Sequence, residues 1–184
     1  SYEQDRGYVG AAAYPKFVGG LSFSGDWKGI DLSFLFQAGL GRDVALTGVY
    51  SGGIMDNTQM TKPFYHGGNS PKYLVENSWR EDNTNAEFPR LSIVQASSNN
   101  AYSSTFWYRS GDYLRLKNLQ IGYTFPQKWM SRIGIDRLRI YFEGQNLWTV
   151  SELTKFNIDP EQPGVSNGYY PQQRIFSFGV NLAF

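Results

Sequence analysis

The sequence predicts an all-β fold, an antiparallel transmembrane β-barrel, and three features support this prediction. Five segments alternate between apolar residues and small or polar residues, as strands with two different faces do. The connections between these segments alternate between short and long, which is typical of transmembrane barrels. Large aromatic residues stand near the ends of the apolar faces, at Trp27, Phe125, Trp148 and Phe184.

The first two predicted strands, residues 16–27 and 30–39, form a hairpin around the two-residue connection Lys28-Gly29. Their apolar faces carry Phe17, Leu21, Phe23 and Trp27 in the first strand, and Ile30, Leu32, Phe34, Phe36 and Ala38 in the second. Val18 and Leu35 depart from the alternation. A strand of about ten residues tilted by about 45° spans roughly the apolar band of a membrane.

The other three predicted strands, residues 113–125, 137–148 and 174–184, show the same alternation. Their apolar faces carry Leu119, Ile121, Tyr123 and Phe125 in the third strand, Leu138, Ile140, Phe142 and Trp148 in the fourth, and Phe176, Phe178, Val180, Leu182 and Phe184 in the fifth. The opposite faces carry charges and amides, which suit a water-filled lumen: Asn118, Gln120, Arg137, Arg139, Glu143 and Gln145. These six residues are candidates for contact with a passing substrate, and a ladder of ion pairs, with Arg139 and Glu143 as partners, is the structural alternative.

For two basic residues of the third predicted strand, the sequence allows either face of the sheet. Arg115 and Lys117 share the parity of Leu119 and Ile121, which places them on the outward face, where they would pair with the phosphates of lipopolysaccharide. A β-bulge that turns them inward is an equally good alternative.

The lengths of the connections set the orientation and the size of the barrel. Residues 28–29 and 126–135 are short connections, whereas residues 40–112 and 150–173 are long. With the C-terminus in the periplasm, both short connections face the periplasm and both long ones face outside. Five strands are too few to close a barrel, so we expect the chain to be a fragment of a larger one.

Composition excludes several classes of function. The 17 Lys and Arg against 16 Asp and Glu give a net charge of +1, so nothing points to nucleic acid. Cysteine is absent and His66 is the only histidine, which argues against thiol catalysis, zinc sites and a histidine-dependent triad. The sequence therefore predicts no enzyme, no cofactor and no metal site.

Several segments give the chain a resemblance to a known family. They are PKFVGG at 15–20, WKGIDLS at 27–33, WREDNTNAEFPR at 79–90, GDYLRLKNLQIGYTFP at 111–126, RLRIYFEGQNLWT at 137–149, Asp159-Pro160-Glu161 and the closing residues 170–184. With these segments in this order, the chain resembles the C-terminal part of the SusC/RagA family of TonB-dependent outer-membrane transporters of Bacteroidota.

The resemblance implies a barrel of 22 strands that is closed by a plug domain, with this chain as its last five strands. It implies energised import of oligosaccharides or peptides, a SusD-like surface lipoprotein as lid, and TonB-ExbB-ExbD as the energy source. The plug and the TonB box are not among the 184 residues. It also implies that Phe176, Phe178, Val180, Leu182 and Phe184 form the signal that the barrel-assembly machinery reads.

The long connection 40–112 is the most informative region for function, because long loops of compact folds often bind ligands. Trp79, Asn83, Asn85 and Arg90 combine an aromatic plate with hydrogen-bonding groups, which suits a sugar, a peptide or the lipoprotein. The alternative is that these residues only hold the loop to the barrel rim.

Three other functions compete with import of oligosaccharides or peptides. A siderophore or vitamin receptor would use the same architecture without a lipoprotein lid. An outer-membrane protease or lipase would need an acid–base set that His66 alone cannot supply. A soluble β-sandwich that binds carbohydrate would also show alternating strands.

Overall fold

The computed structural model describes residues 7, 12–46, 71–91, 104–162 and 172–184, which fall into two compact units. The strand unit takes in the described residues of Lys16–Leu40, Asp112–Ser151 and Pro171–Phe184. The loop unit takes in those of Ser1–Pro15, Gly41–Gly111 and Glu152–Tyr170. His66 lies outside the described residues.

Within the described residues, seven strands and two short helices make up most of the regular structure. In chain order they are β1 (Phe17–Trp27), β2 (Ile30–Leu40), β3 (Asp43–Ala45), α1 (Lys72–Glu76), β4 (Tyr108–Ser110), β5 (Tyr113–Thr124), α2 (Gln127–Met130), β6 (Arg137–Ser151) and β7 (Ile175–Ala183). Turns of 3₁₀-helix cover Thr105–Trp107, Ser131–Ile133 and Glu152–Phe156. No helix within the described ranges has the length and apolar character needed to cross a bilayer.

The strand unit is one antiparallel sheet with the order β1-β2-β5-β6-β7. All five strands lie where the alternation predicts them, so the predicted antiparallel all-β fold is confirmed. The turn between β1 and β2 has positive φ at both central residues, 50° at Lys28 and 88° at Gly29. Such a turn matches the twist of a tight hairpin. A methyl group at Gly29 would also lie 2.6 Å from the carbonyl oxygen of Thr124. Both the positive φ and the lack of space therefore favour glycine at this position.

The pairing register separates the sheet into an apolar face and a polar face. Leu21 lies opposite Phe36 and Phe23 opposite Phe34, while Phe142 lies opposite Phe178. The apolar face is open, with Phe178 82% exposed. Five strands about 4.8 Å apart and about 30 Å long give it roughly 700 Å², more than the largest patch of a typical soluble monomer, about 300–600 Å².

A β-bulge interrupts β5 and decides the side of Arg115. Asn118 and Leu116 are paired with consecutive residues of β2, so Lys117 is an extra residue in the ladder. The bulge shifts the parity, and Arg115 lies opposite Gln37 and Thr149 on the polar face. The outward placement of Arg115 is therefore wrong, and the bulged alternative is the observed one.

The matching irregularity in β6 lies at Asn146 and Leu147, which stand between the paired residues Gln145 and Trp148. Asn146 has a φ of 52°, in the left-handed region that asparagine tolerates better than most residues. Its side chain donates to the Gln172 side-chain oxygen and to the Gln173 carbonyl oxygen, each at 3.1 Å.

The loop unit has a hydrophobic core of its own, made of residues that are distant in the sequence. The core residues are Val44, Leu46, Leu74, Phe88, Trp107, Leu153, Phe156 and Ile158. Leu46, Leu74 and Leu153 are completely buried. Segments of both long connections supply this core, so the two connections fold into one body rather than remaining separate loops.

Candidate functional site

A two-point ion pair crosses the polar face of the strand unit. The Arg139 guanidinium on β6 donates from Nε to Asp31 Oδ1 at 2.9 Å and from Nη2 to Asp31 Oδ2 at 2.5 Å. Asp31 is on β2, so the pair reaches across the strand that lies between them, β5. Paired donors of this kind fix both distance and direction.

Gly122 on β5 leaves room for this ion pair. It stands opposite Asp31 in one ladder and opposite Tyr141 in the other. A methyl group at Gly122 would lie 2.5 Å from both Asp31 carboxylate oxygens and 2.6 Å from Arg139 Nη2. Because such contacts are far below van der Waals distance, any other residue here would displace the pair.

Arg139 makes two further contacts that order the same region. Its Nη2 donates to Gln120 Oε1 at 3.3 Å, and its guanidinium stands 4.7 Å from the ring centroid of Tyr141. The Tyr141 ring in turn covers Gly179 of β7, where a methyl group would collide with it. Among the described residues Arg139 pairs with Asp31, not with Glu143, so the ion pair across the strands has a different partner from the one that the structural alternative named.

The other predicted lumen residues follow the same face along the strands. Asn118 lies opposite Gln145, and Gln120 lies opposite Glu143. Gln145 donates to Glu143 Oε1 at 3.4 Å. Arg137 stands at the start of β6, opposite Ala183. The register therefore brings all six predicted residues to one face, but the lumen itself remains a prediction.

At the other end of the strands, a second polar group surrounds the inward-turned arginine. Arg115 is only 3% exposed and donates from Nε to Thr149 Oγ1 at 2.9 Å. Gln37 donates to the Tyr113 hydroxyl at 3.1 Å, and the Tyr113 ring covers Gly39. The sequence pattern alone does not reveal this cluster, because the bulge hides the parity of Arg115.

In the loop unit, Asn83 holds a tight turn. Its side-chain amide donates to the carbonyl oxygens of Glu76 at 3.2 Å and Ser78 at 3.4 Å. Its backbone exchanges hydrogen bonds with that of Arg80. These contacts of Asn83 lie within the loop unit itself and hold its turn, while the nearby Asn85 is exposed.

Trp79 and Arg90 line a cavity of about 500 Å³ in the loop unit. The cavity is lined by Trp79, Ala86, Glu87, Phe88, Pro89, Arg90, Ser104, Phe106 and Trp107. Its volume lies within the range of about 300–1,000 Å³ found for small-ligand sites. The structure therefore unites two of the four predicted loop residues at one concave site.

An ion cluster adjoins this cavity and links the two long connections. Glu87 accepts hydrogen bonds from the Tyr73 hydroxyl at 2.7 Å, from Arg109 at 3.1 Å and from Lys155 at 3.2 Å. Arg109 and Lys155 also lie 3.7 and 3.8 Å from Glu152 Oε1. Two carboxylates and two cations thus balance one another.

These contacts shift two pKa values. Burial alone would raise the pKa of the Glu87 carboxyl, but hydrogen bonds from Tyr73, Arg109 and Lys155 outweigh burial and hold this pKa below its ordinary value of 4.5. The hydrogen bond to Glu87, together with burial, raises the pKa of the Tyr73 hydroxyl above its ordinary value of 10.0. Glu87 therefore stays charged at neutral pH and acts as an acceptor only.

Sequence reasoning missed Glu87, Arg109, Phe106 and Trp107. A signal for the last two exists, since Phe106-Trp107-Tyr108 is a dense aromatic run in a polar stretch. Glu87 and Arg109 are 22 residues apart, and no periodic pattern links them.

Comparison with known proteins identifies relatives over nearly the whole chain. TonB-dependent receptor P3 of Formosa agariphila is 28% identical over 193 residues, which cover 98% of this chain and 17% of that relative. TonB-dependent receptor SusC of Bacteroides thetaiotaomicron is 30% identical over 105 residues, 55% of this chain and 10% of SusC. No protein-family model matches the chain.

Solved structures give the same result. The RagAB peptide importer in its open-open state matches with a TM-score of 0.61 and 26% identity, over 96% of this chain and 18% of that one. Its closed-closed state matches with a TM-score of 0.62. The chain thus spans less than a fifth of the length of these relatives.

The sheet with its exposed apolar face and these relatives together indicate the class, since the chain is similar over nearly its whole length to segments of TonB-dependent receptors. Within this class it is similar to SusC and to the RagAB importer, which confirms the resemblance that its motifs predict.

Proposed function

We propose that the chain is part of an outer-membrane barrel that imports oligosaccharides or peptides with energy from TonB. The observation that carries the proposal is the exposed apolar face of the strand unit, backed by a polar face of ion pairs and amides. Lipid is the environment that accepts such a face, since apolar side chains of this number would cause aggregation in water.

The proposed transport cycle assigns separate roles to the two units. The strand unit forms part of the wall, and its polar face lines the path or contacts the plug. The loop unit stands on the outer side, where it binds substrate or the SusD-like lipoprotein. TonB-ExbB-ExbD acts through an N-terminal region outside this chain. We assign no catalytic step to any residue.

Growth tests the import role. A strain that lacks the receptor gene is expected to lose growth on one class of oligosaccharide or peptide, and the intact gene is expected to restore it. Inactivation of TonB should abolish the same growth. Growth that is independent of both genes on every tested nutrient would refute the proposal.

Cell fractionation and purification test the location and the lid. The receptor is expected in the outer-membrane fraction, soluble only in detergent, with a SusD-like lipoprotein that copurifies. A siderophore or vitamin receptor of the same architecture would copurify without a lipoprotein and would support growth under iron or vitamin limitation. Deletion of residues 79–90 should weaken both uptake and copurification if the loop unit docks the lid.

The C-terminal strand tests assembly. Removal of Phe184 is expected to lower the amount of receptor in the outer membrane, because the alternating residues Phe176, Phe178, Val180, Leu182 and Phe184 are proposed as the signal for the barrel-assembly machinery. Replacement of Asn181, on the polar face, by Ser is the matched control and should leave assembly unchanged.

A further inference from the structure

The cavity of the loop unit has an apolar wall with little hydrogen-bonding capacity. Six of its nine lining residues are apolar or aromatic, namely Trp79, Ala86, Phe88, Pro89, Phe106 and Trp107. Phe106 and Trp107 meet edge to face with their ring centroids 4.9 Å apart, and Trp107 stacks on Phe88 at 6.2 Å. Trp79 is 38% exposed, so part of its indole is accessible to a ligand.

The polar groups that remain in the cavity are mostly donors. The carboxylate of Glu87 is already engaged by Tyr73, Arg109 and Lys155. The indole Nε1 of Trp107 is buried and finds no acceptor among the residues that the structure describes. This Nε1 has almost no accessible surface, so the charged donor that a ligand in the cavity can reach is the Arg90 guanidinium.

The charge of the cavity is positive. Glu87 and Glu152 are balanced by Arg109 and Lys155. Arg90 is exposed, lines the cavity and makes no ion pair within the described part of the chain. An exposed guanidinium beside an apolar, aromatic wall suits a carboxylate that is attached to an apolar body.

We propose that this cavity binds the C-terminal end of a peptide, with the free carboxylate accepting from Arg90 and an apolar terminal side chain against the aromatic wall. The inference rests on the proposed import function and specifies its substrate class. Neutral sugars fit less well, because their many hydroxyl groups need acceptors as well as donors.

Calorimetry on the intact receptor in detergent tests the inference without any mutation. The probes are the tetrapeptide Gly-Gly-Leu-Phe with a free carboxylate, the same peptide as its C-terminal amide, and a trimer of galacturonic acid. We expect the free acid to bind at least about tenfold more tightly than the amide, since a hydrogen bond to a charged group contributes about 1.5–3 kcal/mol. Equal affinity of acid and amide would overturn the inference, as would tighter binding of the uronate trimer.

Two variants identify the residues. Arg90→Gln is expected to weaken binding of the free acid about tenfold and to leave the amide unchanged. Trp79→Ala removes the exposed part of the aromatic wall and should weaken binding of the acid and of the amide alike. Lys72→Gln removes an exposed cation on α1 outside the cavity and should change neither affinity. Unchanged binding of the acid in both cavity variants would also overturn the inference.

The outcome for the cavity can be separated from that for import. If the peptide does not bind but TonB-dependent growth on an oligosaccharide persists, the inference about the cavity fails and the import function stands. If no nutrient depends on the receptor, the import function itself fails.

Discussion

The glycine beneath the ion pair of the polar face allows a quantitative test of how the sheet is held together. Gly122→Ala adds one methyl group 2.5 Å from the Asp31 carboxylate oxygens and 2.6 Å from Arg139 Nη2. The backbone of β5 is hydrogen-bonded on both sides and cannot retreat, so we expect the two charged side chains to separate.

The size of the effect follows from the bonds that are lost. Each of the two hydrogen bonds between Arg139 and Asp31 contributes about 1.5–3 kcal/mol when charged partners are buried. Their side chains are 14% and 31% exposed, so we take about half of the sum, roughly 1.5–3 kcal/mol. Alanine recovers about 0.5–1 kcal/mol of backbone entropy relative to glycine. The net loss is about 0.5–2.5 kcal/mol, and its midpoint is close to tenfold in the unfolding equilibrium.

The assay is urea unfolding of the intact receptor in lipid vesicles, followed by the mobility shift between folded and unfolded barrels on gels. Gly20→Ala is the matched control, because Gly20 also lies on the polar face and a methyl there would stand 3.4 Å from the carbonyl oxygen of Phe36. We expect the control to be neutral or slightly stabilised.

A double mutant completes the test. Asp31→Ala should be destabilising alone, and the combination with Gly122→Ala should cost clearly less than the sum, since both changes remove one interaction. The reasoning is refuted if Gly122→Ala is as stable as Gly20→Ala, or if the two effects simply add.

Three further predictions concern the core of the loop unit, its ion cluster and the apolar face. Leu153→Ala removes a fully buried side chain and should destabilise the loop unit by about 2–5 kcal/mol, seen as faster proteolysis of the long connections while the sheet stays protected. Because the pKa of Glu87 is lowered by folding, its stabilising contribution is present above pH 4.5 and is lost as pH falls through the folded-state pKa. Hydrogen exchange in the loop unit should therefore accelerate on acidification, and Glu87→Gln should flatten this dependence. Phe178→Arg on the apolar face should cost about 2–4 kcal/mol and reduce the assembled receptor, whereas Ser177→Arg on the polar face should be tolerated; equal assembly of both would contradict the lipid-facing assignment.

The strand unit was predictable because its signal is local. In a strand with one apolar and one polar face, the two residue types alternate along the sequence. The tight turn at Lys28-Gly29 likewise depends on only two neighbouring residues. The partner of Arg139 was not predictable in this way. Asp31 is 108 residues away, and the pairing depends on the order of strands and on the small size of Gly122.

The loop unit left almost no local signal. Its core joins Leu46, Leu74 and Leu153 from segments without a common period, and its strands β3 and β4 have only three residues each. Trp79 and Arg90 were found by residue type, whereas the cavity that they share with Phe106 and Trp107 depends on tertiary packing. Residue type also selected Asn83 as a candidate binding residue, and in the structure its side chain stabilises a turn.

The tyrosine that covers a glycine on the next strand has an evolutionary consequence. Tyr141 occupies the space above Gly179, and Tyr113 occupies the space above Gly39. In each tyrosine–glycine pair, the glycine cannot be replaced by a larger residue while the tyrosine is kept. Homologous chains should therefore change both residues together or keep both. A bulkier replacement at Gly179 would select a small residue at 141, and Arg139 would then lose the aromatic surface beside it.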